Sequence, residues 1–89
     1  MPSTYSLFLT NQAKKELTKI NKGAPKIAQA IAHIISQIQN NPNLGESLHG
    51  DLKGRLKVRV GNYRIVYSVN RNNLVINILR VAHRKDAYR

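Results

Sequence analysis

Leu56-Lys57-Val58-Arg59-Val60-Gly61-Asn62-Tyr63-Arg64-Ile65-Val66-Tyr67 is the stretch that decides the fold. Side chains alternate along a strand with period two, so Leu56, Val58 and Val60 share one face and Lys57 and Arg59 the other. Gly61-Asn62 reads as a two-residue hairpin loop, with Gly at the first position supplying the positive φ of a type II′ turn. That register sets Val60 opposite Tyr63 and Arg59 opposite Arg64. Two guanidinium groups placed so destabilise a bare sheet. A chain that tolerates the repulsion is expected to meet an anion there, and a nucleic-acid backbone is the obvious one.

Working outward, strands are expected at about 55–60, 62–69 and 74–81. A second turn at 70–73 would pair Tyr67 with Ile76 and Ile65 with Ile78. Upstream, residues 4–10 alternate as a first strand. Asn11 is a candidate N-cap. Ala13, Leu17 and Ile20 recur at i, i+4, i+7, predicting a helix over about 11–21 that Gly23 ends. Pro25 suits the first turn of a second helix, 24–40, carrying Ile27, Ile31, Ile34, Ile35 and Ile38 on one stripe. Residues 42–54 read as a loop, with a short strand near Ser47–Leu48. The expected class is α+β, ordered β-α-α-β-β-β. A two-helix hairpin would pack on a three- to four-stranded antiparallel sheet, in one domain spanning 1–89.

The chain has 89 residues, short enough that only about 60–65% of its unfolded surface is buried on folding. It contains no cysteine, which excludes disulfides and thiolate metal sites and fits a reducing, cytoplasmic setting. No apolar stretch is long enough to span a bilayer, and no membrane partner is expected. The net charge is +11, from 15 basic and 4 acidic residues. Residues 51–89 hold ten of the basic residues and two of the acids. A field of this sign attracts polyanions, and its concentration on a hairpin favours nucleic acid over an amphipathic membrane helix.

Chemistry-bearing motifs are few. No pair among His33, His49 and His83 has metal-ligand spacing, so neither metal nor cofactor is expected. Gly45-x4-Gly50 is followed by Asp51 and is no phosphate loop. What remains is a basic and aromatic set: Lys57, Arg59, Arg64, His83, Arg84 and Tyr88. RNA cleavage without metal needs a group to take the 2′-hydroxyl proton, one to protonate the leaving 5′-oxygen, and cations for the charge gathering on phosphorus. Lys57, Arg59 and Arg64 would fill the last role. An imidazole titrates near neutrality and could act as acid or base. A phenol, ordinarily near pH 10, could be a base only among cations. Lys53, Arg55, Arg80 and Lys85 extend the expected RNA contacts. On these residues alone, passive binding of RNA or DNA stands beside catalysis.

At this point the chain resembles the RelE/ParE superfamily of small bacterial toxins. The resemblance rests on Leu48-x-Gly50, on the hairpin quoted above, and on the closing run Arg80-Val81-x-His83-Arg84-x-Asp86-x-Tyr88-Arg89. It implies the toxin of a type II toxin–antitoxin system, closer to the RelE branch of ribosome-dependent endoribonucleases than to the ParE branch that poisons DNA gyrase. By motif position, Lys57 and Arg59 resemble the basic pair on the catalytic strand and Arg64 the phosphate-binding arginine. Arg84 resembles the arginine assigned to the leaving group, and Tyr88 the terminal tyrosine that activates the 2′-hydroxyl. Arg59 stands where the best-known cleaving toxin has Lys, and the segment from Arg84 to Tyr88 is shorter, so that His83 shares the role of Tyr88. The implied partners are a cognate acidic antitoxin, the ribosome and mRNA, with operator DNA contacted only through the antitoxin complex.

Overall fold

In a computed structural model, residues 4–48, 50, 54–83 and 85 are described. The elements run β1 (Ser6–Leu9), α1 (Asn11–Gly23), α2 (Pro25–Asn40), β2 (Glu46–Ser47), β3 (Arg55–Val60), β4 (Tyr63–Asn70) and β5 (Val75–His83). The α+β reading holds, with both helices packed against one sheet. That sheet is wider than expected: five strands in the order β1-β5-β4-β3-β2. The extra width comes from both edges. β2 pairs antiparallel with β3, and β1 lies parallel to β5, Ser6 opposite Val75 and Leu9 opposite Ile78. Alternation reveals a strand but not its partner, so the parallel pairing was invisible from the first ten residues.

The central hairpin has the expected register, with Arg59 opposite Arg64 and Val60 opposite Tyr63. Gly61 has φ +60 and Asn62 stays outside the positive-φ region, the type II′ pattern. The second hairpin differs from expectation. Its turn falls at residues 71–74, and an irregularity between Val66 and Tyr67 shifts the ladder. Tyr67 therefore faces Ile78, Val69 faces Ile76, and Ile65 faces Val81. Leu74 in this turn takes φ +55, a strained choice for a branched residue that no composition rule would suggest.

Helix ends follow local chemistry with one change. Thr10, not Asn11, is the N-cap of α1, its hydroxyl oxygen accepting from the Ala13 amide at 3.1 Å. The same hydroxyl donates to the Leu79 carbonyl at 2.8 Å, so one residue caps a helix and fastens it to β5. α2 begins with Pro25 at its first position, where a missing N–H costs nothing. Ile31, Ile35 and Ile38 of α2 are buried against Ile65, Tyr67, Ile76, Ile78 and Val81, with Ala13 and Ile20 of α1 completing the core. Each fully buried isoleucine is worth about 1.5–3 kcal/mol.

Tyr67 ties the loop before β2 to this core. Its hydroxyl donates to the Pro42 carbonyl at 2.9 Å and accepts from the Gly45 amide at 2.8 Å. Burial pushes its phenol above the ordinary value, against the opposing effects of the Gly45 hydrogen bond and the Arg71 charge. Gly45 permits the approach. A Cβ there would sit 2.7 Å from the Lys57 carbonyl and 2.8 Å from the Tyr67 hydroxyl.

Candidate nucleic-acid interface

The pairings place side chains in rows across the face of the sheet that the helices leave open. One row holds Arg64 and Arg59, with Ala82 on the far side of Arg64. The next holds Arg80, Val66, Lys57 and Glu46. A third holds Phe8, Asn77, Ser68 and Arg55. Lys57, Arg59 and Arg64 thus share one wall, as the alternation requires. Leu56, Val58 and Tyr63 project the other way and pack on the core.

Val66 and Ala82 are buried although they lie on this open face. Their neighbours in the ladder are Lys57, Arg80 and Arg64, whose methylene stems suit a small apolar floor; the Arg64 Nε is itself buried, and the Lys57 side chain is 22% exposed. The floor fixes where the cations emerge. Lys57 lies 3.9 Å from the Glu46 carboxylate. Glu46 is 81% exposed and the separation is at the limit of an ion pair, so the attraction is slight.

Two further residues behave differently. Arg80 turns around the bare edge of β5 and makes a bidentate ion pair with Glu16 of α1, Nη2 to Oε2 at 2.7 Å and Nε to the same oxygen at 3.0 Å. Its guanidinium is occupied by α1 rather than displayed beside Lys57. His83 is opposite Tyr63 in the ladder, and the two rings meet edge to face at 5.6 Å. The structure therefore does not bring His83 together with Lys57, Arg59 and Arg64. His83 lines a cleft of about 720 Å³ on the helix side, shared with Lys15, Lys19, Ile20, Tyr63 and Val81. The irregularity in the β4–β5 ladder sets that side. Arg55 is exposed at the start of β3, and Lys85 is exposed beyond β5. Lys53, Arg84 and Tyr88 lie outside the described residues.

Sequence reasoning missed two contributors to this face. Glu16 sits among lysines on α1, and nothing local signals a partner 64 positions away. Phe8 alternates with Leu7 and Leu9, a pattern that marks it as outward but not as part of the basic face.

The model of the ParE toxin family of type II toxin–antitoxin systems matches residues 7–88. The chain belongs to that family. Two curated toxins of Mycobacterium tuberculosis are similar to it over 96% of its length: toxin RelE at 32% identity, covering 87% of that protein, and toxin RelG at 31%, covering 97%. Among solved structures, the toxin–antitoxin complex RelBE of M. tuberculosis superposes with a TM-score of 0.79 at 28% identity, over 97% of this chain and 98% of that one. The archaeal RelE–RelB complex of Pyrococcus horikoshii gives 0.70 at 26%, over 94% and 99%. This toxin therefore has the RelE-like fold, with the basic wall on the sheet face opposite its helices.

Proposed function

We propose that this toxin is a metal-independent endoribonuclease that cuts mRNA on the ribosome and so stops translation. The observation that supports this most is the shared wall of Lys57, Arg59 and Arg64, set by the strand register beside a buried Val66–Ala82 floor. In the reaction the 2′-oxygen of one nucleotide attacks the adjacent phosphorus and the 5′-oxygen leaves, giving a cyclic phosphate. The hydroxyl proton passes to a base, and the leaving oxygen takes up a proton. Three cations beside the phosphate stabilise the added charge without any proton transfer of their own. Arg59 cannot be the base, since a guanidinium stays protonated at any usable pH. Arg84 and Tyr88 are proposed for the leaving group and the 2′-hydroxyl respectively. His83, which faces the cleft beside Tyr63, is proposed to support the tail rather than the phosphate.

The proposed setting is the cytoplasm. No described helix is long and apolar enough to cross a membrane. The proposed protein partner is a cognate acidic antitoxin, since related RelE and YoeB toxins are found in complexes with RelB and YefM. Such a segment would fold as it binds the cationic surface, and operator DNA would be reached only through that complex.

The family match to ParE favours one other reading, inhibition of DNA gyrase. Inducing the chain and mapping new RNA 5′ ends separates the two. Ribosome-positioned cuts in mRNA, lost with Arg64→Ala, are expected. DNA breaks with intact mRNA would replace this reading with the gyrase one.

A further inference from the structure

We propose that Phe8 is a base-stacking platform at the far end of the same open face, gripping a nucleotide of the single strand whose phosphate lies on Lys57, Arg59 and Arg64. The inference rests on the RNA reading above and extends it to a second subsite. Phe8 is the chain's sole phenylalanine, yet it is 57% exposed. Its neighbours Leu7 and Leu9 turn inward and pack on the core, so Phe8 is held outward by the pairing of β1 with β5. A ring needed only for strand propensity could as well sit on the core side. Here it stands in a row with Asn77, Ser68 and Arg55.

That row has the parts a single-stranded nucleotide requires. An aromatic face accepts any base, amide and hydroxyl groups can bond a base edge, and a guanidinium can meet a phosphate. Directly across the ladder from the ring stands Asn77, with Ser68 and Arg55 beyond it, while Val75 shares the same face two residues from Asn77. Leu74, also exposed, lies in the 71–74 turn beyond the strand. Distance agrees as well. Two strand spacings of about 4.8 Å and four residues at roughly 3.3 Å set the Phe8 and Arg64 backbones about 16 Å apart. A few nucleotides of extended strand can reach from one to the other. The platform would thus read a base near the cut, not at it.

The test uses the full-length protein and a seven-nucleotide single-stranded RNA at low salt. The chain has no tryptophan, so Phe8→Trp supplies a single fluorophore at the site. Its emission should be quenched by the RNA and not by a sugar–phosphate oligomer of equal length lacking bases. Phe8→Leu keeps the bulk and the fold, checked by an unchanged melting midpoint, and should weaken binding roughly tenfold. Binding that depends on Arg64 but is equal for wild type and Phe8→Leu would overturn the platform and leave the basic wall standing. A wild-type protein that binds neither oligomer would overturn the platform, and the mapped mRNA cuts would decide the RNA reading separately.

Discussion

Glu16 of α1 grips the free edge of β5 by accepting from the Val81 backbone amide at 2.9 Å while its carboxylate holds Arg80. Beyond Ile78 the short β1 no longer covers that edge, and α1 takes over with Thr10 and Glu16. A bare strand edge is otherwise a template for association. The acid thus seals the sheet and removes one arginine from the basic wall.

Glu16→Ala is therefore expected to cost about 2 kcal/mol, since it strands a guanidinium and a backbone amide that are both partly buried. For a domain of this size the melting midpoint should drop by roughly 10 °C. A double-mutant cycle with Arg80→Ala should give a coupling of at least about 0.5 kcal/mol. Strict additivity in urea melts would mean that the pair adds nothing.

Arg59→Ala should separate stability from function. Removing one of two facing guanidiniums relieves a repulsion worth a few tenths of a kcal/mol, so the variant should melt slightly higher at low salt and not at high salt. In RNA titrations, the same variant should bind more weakly and lose about one unit of slope in the logarithmic salt dependence.

Tyr67→Phe should lose about 1–2 kcal/mol, because the Gly45 amide and Pro42 carbonyl lose their shared partner. Its pH behaviour is a sharper check. Burial holds the phenol protonated in the folded chain above the pH where the unfolded chain releases the proton. Above about pH 10 the unfolded state thus binds fewer protons, and stability falls as pH rises. Urea midpoints measured from pH 8 to 11.5 should fall less steeply for Tyr67→Phe than for the wild type.

Gly45→Ala should destabilise by about 1–3 kcal/mol, as its methyl group meets the Lys57 carbonyl and the Tyr67 hydroxyl. Since that carbonyl belongs to the strand bearing the cations, activity in cells should decline along with the melting midpoint. Activity kept in a variant that melts normally would show that the loop shifts freely.

Local chemistry made the central hairpin readable: Gly61 fixes the turn, and period two then assigns every side chain from Leu56 to Tyr67 to a face. The isoleucine stripe of α2 was equally plain, because five isoleucines at helical spacing have few other uses. What stayed hidden was set by distant partners. The β4–β5 ladder slips at Val66/Tyr67, and that slip puts His83 against Tyr63 on the helix side, not beside Arg64. Arg80 shares the parity of Ile76 and Ile78, which alone would turn it to the core; the same slip moves it to the open face, and Glu16 on a helix 64 positions earlier then holds its guanidinium. Phe8 became interesting only once its strand was seated next to β5.

The parallel pairing of Ser6 with Val75 has a consequence for synthesis. β5 lies between the first strand and β4, yet it is the last of the described strands to be made. A nascent chain cannot close its sheet until residues 75–83 have left the exit tunnel, and contacts this far apart in sequence form late. Polypeptides cut short by stalled translation would lack the keystone strand and could not close the sheet that carries the basic wall.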